Sequence, residues 1–208
     1  MSIADDQLAD GGPAPRLTRQ QRREHLLDVA AELVAEGGFE AVTMESVAAH
    51  AGVSKGLGYA YFDNRGELLA ALFERETGEL DRPATQAADA ESSFEGKVRA
   101  TVSVVFDTVA AKGPVLARLL RAEAEGPINE RRTKRQRVIE RRWAELIAEE
   151  YGVEEDTARA SAAIMLASIP RVIELWAAGK GTREELTETY TRMCTAAAHA
   201  LGESEAVG

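Results

Sequence analysis

The chain has 208 residues and a net charge of −10, and its 45% hydrophobic content includes only 5% aromatic residues. This length allows one large or two small domains with a real core, and the abundance of alanine and leucine favours a helical protein. The single cysteine, Cys194, excludes an internal disulfide and a cysteine-based zinc site, and no stretch approaches the roughly 18 uninterrupted apolar residues of a membrane helix.

The first predicted elements are a disordered arm and a helix. Residues 1–15 are rich in glycine and proline, and their acidic start lacks the basic residues of a secretory signal, so we expect a cytoplasmic protein. Thr18 is a suitable N-cap for the helix, which should end at Gly37 and Gly38. Its apolar stripe consists of Leu26, Leu27, Val29, Ala30, Leu33 and Val34.

The next segment has the pattern of a helix-turn-helix. Thr43 is placed to cap a helix over residues 44–51, and Gly52 can end that helix in a left-handed conformation. Ser54 is placed to cap a second helix over residues 55–62. In the helix-turn-helix motif the second helix enters the major groove of DNA, which makes a DNA-binding regulator the first hypothesis.

Further caps and breakers predict a helical remainder. Asn64 with Glu67 indicates a connecting helix that runs to about Leu80, and residues 83–92 should form a loop. Five more helices are expected after it, and Pro170 should interrupt the fourth of them. Their predicted ranges are 94–112, 115–125, 129–151, 154–178 and 182–201. The fold class is therefore all-α, with about nine helices.

Residues 17–72 resemble the N-terminal domain of TetR-type transcriptional regulators. The resemblance lies in the sequence R-x-x-L-L-D-V-A-A-E-L-V-A-E-G-G-F-E-A-V-T from Arg23, in V-S-K-G-x-x-Y-x-Y-F from Val53, and in the E-L-L that follows. It implies an all-α homodimer that binds a palindromic operator with this domain and senses a small molecule with a divergent C-terminal domain. The chain departs from the family pattern at Leu57 and Gly58, which leaves the set of base-contacting residues open.

Candidate DNA contacts follow from the motif and from the resemblance. Hydroxyls and free N–H groups at helix N-termini suit phosphate oxygens, and a glycine allows close backbone approach. The resemblance adds two tyrosines whose rings and hydroxyls face DNA in the family. Packing inside the small domain is the alternative role for those tyrosines. The candidates are Thr43, Ser54, Lys55, Gly56, Leu57, Tyr59, Ala60, Tyr61 and Arg65.

The charge of this region is unusual for a DNA-binding domain. Residues 16–82 contain eight basic and twelve acidic side chains, whereas DNA-binding domains are usually basic. The acidic excess does not exclude DNA binding, because the basic side chains are unevenly distributed. Four of them cluster before and at the start of the first helix: Arg16, Arg19, Arg22 and Arg23. A local basic rim on an acidic body still suits phosphates, although a solvated helix end is the alternative interpretation of the cluster.

The C-terminal half shows no catalytic motif, no phosphate-binding glycine loop and no metal-ligand spacing among its histidines, so neither an enzyme nor a metal site nor a cofactor is expected. A ligand cavity between amphipathic helices is the expectation, although a filled core is the alternative for each residue. The candidate lining is Phe106, Leu116, Leu120, Glu123, Trp143, Met165, Ser168, Ile169 and Arg171. The basic run over residues 131–142 is interpreted as a solvated face, and attraction of an anionic effector or a second nucleic-acid contact is the alternative.

The last two helices are rich in alanine, which allows close helix approach, so they are the expected homodimer interface. The predicted organisation is an arm (1–15), a DNA-binding domain (16–63), a connecting helix (64–82) and an effector-binding and dimerisation domain (83–208). The predicted function is a ligand-responsive regulator, a repressor released from its operator by a small molecule. A helical small-molecule binding protein without regulatory DNA binding is the alternative.

Overall fold

The computed structural model describes residues 17–121 and 127–205, and it is all-α over those ranges, as predicted. Within the described residues there are nine α-helices, and a short 3₁₀ helix, Phe39–Ala41, follows the first of them. These are α1 Arg19–Gly37, α2 Met44–His50, α3 Lys55–Tyr59, α4 Arg65–Asp89, α5 Phe94–Lys112, α6 Pro114–Arg121, α7 Pro127–Tyr151, α8 Glu155–Ala177 and α9 Arg183–Glu205. The predicted arm over residues 1–15 lies outside the described residues.

The N-terminal caps form as the sequence predicts. Thr18 accepts a hydrogen bond from the backbone N–H of Gln21, whose side chain accepts one in return from the N–H of Thr18. Gly38 ends α1 with a φ of 72°, a left-handed value that favours glycine. The six predicted stripe residues of α1 are all buried, so this helix is packed along one face.

The turn between α2 and α3 also has the predicted chemistry. Thr43 caps α2, Gly52 takes a φ of 65°, and the Ser54 hydroxyl accepts from the N–H of Leu57. The second helix is shorter than predicted, because α3 ends at Tyr59. A tight turn over residues 60–62 follows α3. It leads to Asn64, which has an extended backbone conformation and caps α4.

The predicted loop from Pro83 is wrong, since α4 continues as a single helix to Asp89. Pro83 removes one intrahelical hydrogen bond, but Leu80 and Ala88 on either side of it are buried and hold the helix against its neighbours. Helix α8 runs through Pro170 without a break, within one residue of the predicted range 154–178 at each end. Pro127 is the first residue of α7 within the described residues, two residues before the predicted start.

Three apolar clusters form the core. The first contains residues of α1, α2 and α4 together with Phe62, Val115, Leu119 and Ile128, so the N-terminal helices pack directly on α6 and α7. The second joins α5, α7, α8 and α9, and the third lies between α4, α5, α6 and α8. The long helix α4 therefore belongs both to the N-terminal core and to the C-terminal half.

A buried carboxylate links three helices at the centre of α4. Glu76 is only 3% exposed, and its oxygens lie 2.8 Å from Nη2 of Arg75 and 3.0 Å from Nζ of Lys112 on α5. Arg75 also reaches Asp28 on α1, at 2.7 Å. Burial lowers the pKa of Lys112, but its hydrogen bonds to Glu79 and Glu76 raise that pKa by more, so the ammonium stays charged.

Replacing Glu76 should destabilise the fold far more than replacing its neighbour. Glu79 also pairs with Lys112 but is half-exposed. We expect Glu76→Gln to cost about 3 kcal/mol, because it leaves two cations around a neutral group, and Glu79→Gln to cost less than about 1 kcal/mol. Urea unfolding of the two variants measures the difference. Equal losses would show that Glu76 is not the centre of this network.

Candidate nucleic-acid interface and ligand cavity

Helices α2 and α3 present one exposed edge to solvent. Six of the nine candidate DNA contacts are exposed there, while the inner side of the turn is packed on the N-terminal core through Met44, Val47 and Phe62. The exposed candidates are Thr43, Ser54, Lys55, Gly56, Tyr59 and Ala60. The packed side holds this edge in place, so that a rigid surface faces outward.

The two N-cap hydroxyls fix the ends of these helices. Thr43 accepts from the N–H of Ser46 at 2.9 Å and also donates to the Ser46 hydroxyl at 3.1 Å. Ser54 accepts from the N–H of Leu57 at 3.2 Å. Capping uses one acceptor position of a hydroxyl, so the O–H of Ser54 can still donate to a phosphate oxygen.

Lys55 is the cation at the start of α3. Its ammonium pairs with the carboxylate of Glu45 on α2 and lies 5.9 Å from the centre of the Tyr59 ring. The hydrogen bond between the two side chains lowers the pKa of Glu45 and raises the pKa of Lys55, so both stay charged at neutral pH. Both are solvent-exposed, so a phosphate oxygen can compete with Glu45 for the ammonium at little cost.

The two candidate tyrosines differ in their surroundings. Tyr59 is 45% exposed on the outer side of α3. Tyr61 is half-buried and packs against the N-terminal core. Leu57 is also half-buried. The alternative role of packing inside the domain therefore applies to Tyr61, whereas Tyr59 is available for contact with a partner.

The two glycines of α3 lie on opposite sides of the helix. A Cβ added to Gly56 would meet no atom within 4 Å, because that position faces open solvent. Gly58 is buried, and a Cβ there would lie 3.5 Å from the terminal methyl of Met44, an ordinary packing distance. The absence of a side chain at Gly56 thus lets a binding partner approach the backbone of α3 closely. At Gly58 it leaves a small gap beside Met44 in the core.

Arg65 has a structural role that the sequence did not reveal. Its Nε donates to the backbone oxygen of Val42 and its Nη2 to that of Phe39, both at 2.6 Å. The guanidinium at the start of α4 therefore holds the segment that leads into α2. Arg65 therefore helps to position the exposed edge of α2 and α3, which we call the reading edge. It is not an exposed cation like Lys55.

The arginines at the start of α1 form a partly exposed rim. Arg19 is exposed, Arg22 is half-exposed, and the guanidinium of Arg23 lies 5.3 Å from the centre of the Phe62 ring. The fourth predicted member, Arg16, lies outside the described residues. In the same part of α1, His25 contacts the backbone oxygen of Ala51 at 3.3 Å, which joins α1 to the turn.

A cavity of about 320 Å³ lies between α4, α5, α7 and α8, within the size range of ligand sites. Three predicted lining residues, Leu120, Trp143 and Ile169, are found in its wall. The other described candidates are elsewhere. Phe106 and Leu116 are buried in packed core, as is Met165, whose backbone oxygen accepts from Ser168 at 2.7 Å. Arg171 is exposed and pairs with Glu174.

Much of the cavity wall lies on α4, and the part of it beyond Pro83 was missed because a loop was predicted there. Residues of the extended α4 line it, including Leu80, Asp81, Ala84, Thr85 and Ala88. The predicted Glu123 lies outside the described residues. No group of three or more histidine, cysteine, aspartate or glutamate side chains within residues 17–121 and 127–205 is placed to hold a metal ion.

The basic run on α7 is a solvated face only in part. Arg131 pairs with Glu67 and Glu74 of α4, at 3.1 and 3.0 Å. Arg135 makes two hydrogen bonds to Asp81, and Arg142 pairs with Asp89. We call these contacts the α4/α7 ion-pair row. They form because the continued α4 carries acidic residues along the side that faces α7.

The comparison with known proteins gives a family for the N-terminal part. Residues 26–72 match the family described as "Bacterial regulatory proteins, tetR family". The transcriptional activator FasR of Mycolicibacterium smegmatis is 34% identical over 94 residues, which cover 45% of this chain and 43% of FasR. The repressor KstR of the same organism is 36% identical over 70 residues, 34% of each chain. The chain spans less than half the length of these relatives.

The fold agrees with solved structures over most of the chain. The regulator FadR from Bacillus subtilis, solved in complex with stearoyl-CoA, superposes with a TM-score of 0.67 at 21% identity and covers 82% of this chain and 96% of its own. At this identity the likeness concerns the fold. The arrangement of the C-terminal helices is therefore similar to that in FadR. The bound stearoyl-CoA is a property of FadR.

The opposite environments of the two glycines in α3 give a matched test of the reading edge. Gly56→Ala and Gly58→Ala should each stabilise the helix by up to about 1 kcal/mol, because alanine is the better helix former. Only Gly56→Ala adds a methyl group to the outer side, so we expect it to weaken DNA binding about tenfold, roughly 1.4 kcal/mol. DNA titration followed by fluorescence anisotropy measures both variants. Equal affinities for the two would remove Gly56 from the interface.

Proposed function

We propose that the chain is a member of the TetR family of bacterial regulators, which its N-terminal domain matches over residues 26–72, and that it is a ligand-responsive, DNA-binding repressor. The observation that carries this proposal is the exposed edge of α3, where Lys55, Gly56 and Tyr59 face outward from a packed helix-turn-helix. A small molecule in the cavity would release the protein from its operator. The family match covers residues 26–72, and the proposal assigns a regulatory function to the whole chain.

In the proposed complex α3 lies in the major groove. Lys55 and Ser54 contact backbone phosphates at the start of the helix, and Gly56 lets the backbone come close to the duplex. Tyr59 is the main candidate for a contact with bases or sugars, since its ring can lie against a thymine methyl and its hydroxyl can reach a phosphate. Thr43, Leu57, Ala60 and Tyr61 remain secondary candidates, and Arg65 acts by holding this edge in place.

The charge of the chain limits how it binds DNA. Glu45 sits beside Lys55 at the reading edge, and the net charge is −10. Nonspecific attraction to phosphates should therefore be weak, and specific binding should depend on a small number of local cations, including Arg19 and Arg22. A duplex without the right sequence would be bound poorly.

A homodimer would bring two reading helices to one operator. Ile164 on α8 and Met193 on α9 are 73% and 53% exposed, and small residues such as Ala160, Ala167 and Ala197 share the exposed sides of these helices. By length and composition α8 is apolar enough to cross a membrane, yet only 17% of its apolar window is buried within the chain. We propose that α8 and α9 pack against their copies in a second subunit, which hides this apolar surface.

Dimer geometry would then make the protein switchable. Two α3 helices must reach successive major grooves about 34–36 Å apart, so a modest shift of α4 in each subunit is enough to lose the operator. The cavity lies against α4, and the structural neighbour FadR was solved with stearoyl-CoA, so a small-molecule effector in this cavity is a reasonable cause of that shift. A coupling of about 1–3 kcal/mol between the two sites suffices.

Selection of bound duplexes from a randomised pool tests the DNA-binding proposal. We expect a palindromic sequence to be enriched, and Lys55→Ala and Tyr59→Ala to weaken its binding about tenfold or more, since each removes a direct contact of about 1–3 kcal/mol. Lys134→Ala, which removes an exposed lysine from α7, is the matched control and should bind like the wild type. No enrichment, or no loss with either variant, would favour a helical small-molecule binding protein without regulatory DNA binding.

The dimer interface is tested by placing a charge on it. Ile164→Glu buries a carboxylate in the proposed interface and should shift the protein to monomers. Val138→Glu changes a residue of similar exposure, 62%, on α7 and should leave the dimer intact. Sedimentation velocity distinguishes the two species. Monomers for the wild type, or dimers for Ile164→Glu, would contradict the proposed interface.

A further inference from the structure

A buried threonine hydroxyl in the cavity wall lacks a hydrogen-bond partner. Thr101 of α5 is only 9% exposed, and it lines the cavity between α4, α5, α7 and α8. Its Oγ1 has no hydrogen-bond partner among the residues that the structure describes. Such a group costs folding free energy, because it has lost its hydrogen bonds to water without gaining others. A ligand that supplies the missing partner removes this cost.

Other helical hydroxyls of the chain avoid the same cost by bonding to their own helix. Thr77 donates to the backbone oxygen of Phe73 at 2.7 Å. On the same helix as Thr101, Thr108 donates to the backbone oxygen of Val104 at 2.8 Å. Thr101 makes no such bond. Rotation about its Cα–Cβ bond exchanges the hydroxyl with the methyl group, so the hydroxyl can turn toward a ligand in the cavity.

Pro170 leaves a backbone oxygen without its usual partner in the same wall. Proline has no N–H, so the backbone oxygen of Leu166, one turn earlier in α8, lacks its intrahelical donor. Leu166 and Pro170 lie on one face of the helix, and both line the cavity. A ligand hydroxyl suits both groups, since it can accept from Thr101 and can donate to a backbone oxygen, whereas a ketone oxygen only accepts.

The rest of the cavity wall does not require a charged ligand. Arg135 and Arg142 line the cavity, but both are paired with carboxylates in the α4/α7 ion-pair row. A charged group beside Thr101 would lose its hydration at a buried position, which is costly. The apolar part of the wall includes Leu80, Val105, Trp143 and Ile169. The wall therefore favours an apolar molecule with an uncharged polar group.

We propose that the effector of this cavity is an uncharged, largely apolar alcohol whose hydroxyl group takes the hydrogen bond that Thr101 lacks. The inference rests on the proposed function and adds the ligand class. The apolar body of the ligand fills the cavity, and its burial supplies most of the binding free energy. The ligand hydroxyl keeps a hydrogen bond when it leaves water, while a hydrocarbon of the same shape leaves Thr101 unsatisfied. Thr101 is thus the residue that selects the alcohol.

Thr101→Val tests this selection, because valine has the shape of threonine without the hydroxyl. The probes are phenylbutanol, butylbenzene and phenylbutyrate, which share one carbon skeleton and carry a hydroxyl, no polar group and a carboxylate. By calorimetry we expect Thr101→Val to bind phenylbutanol about tenfold more weakly than the wild type does, and to bind butylbenzene no more weakly.

Three results would overturn the proposal. They are no binding of phenylbutanol by the wild type, equal effects of Thr101→Val on phenylbutanol and butylbenzene, and tighter binding of phenylbutyrate than of phenylbutanol by the wild type.

Thr191→Val is the matched control. The hydroxyl of Thr191 is also buried without a partner among the described residues, but it belongs to α9 and does not line the cavity. Each substitution should raise the urea midpoint of the ligand-free protein, because each removes an unsatisfied hydroxyl. Only Thr101→Val should weaken phenylbutanol binding, and with a raised midpoint damage to the fold cannot explain the loss. A lower midpoint for Thr101→Val with unchanged phenylbutanol binding would show that the hydroxyl bonds within the protein, and the proposal would fail.

DNA binding separates this inference from the proposed function. If phenylbutanol binds through Thr101 but the affinity for the selected duplex does not change, the ligand class stands and the proposed release mechanism fails. If the protein binds a selected duplex but Thr101→Val does not discriminate between phenylbutanol and butylbenzene, the inference fails and the proposed DNA-binding function stands.

Discussion

The buried carboxylate of Glu76 is the interaction on which the relation between the two halves of the chain depends. It holds Arg75 and Lys112, and through Arg75 it reaches Asp28, so that α1, α4 and α5 meet at one charged centre. A buried charge of this kind stabilises a structure only while its partners are in place, and it specifies one arrangement of them. The position of the N-terminal helices relative to α5 is therefore set by a few polar contacts in addition to apolar packing.

Helix α4 turns this local constraint into a connection between the reading edge and the cavity. At its start Arg65 holds the segment before α2, at its centre Glu76 links α1 to α5, and near its end Asp81 lies in the cavity wall. The two proposed sites thus share one helix. A shift of α4 is opposed at each of these points by ion pairs or hydrogen bonds to its neighbours.

The sequence predicts the elements better than the sites. Caps such as Thr18, Thr43 and Asn64 act through neighbouring residues, and so local pattern was enough to place the starts of their helices. The continuation of α4 beyond Pro83 depends on burial of Leu80 and Ala88 against other helices, which no local pattern contains. The hydrogen bonds of Arg65 are not predictable from the sequence for the same reason, since its carbonyl partners are more than twenty residues away. The lining of the cavity required the tertiary arrangement.

The dependence of DNA affinity on salt tests the central claim most directly. A regulator that reads DNA with the edge of α3 should bind its selected duplex with an affinity that falls steeply with salt, by a log–log slope of about −0.9 for each phosphate neutralised. The same protein should bind a scrambled duplex of equal length far more weakly at every salt concentration. Affinity that does not change with salt, or that is the same for both duplexes, would contradict the account.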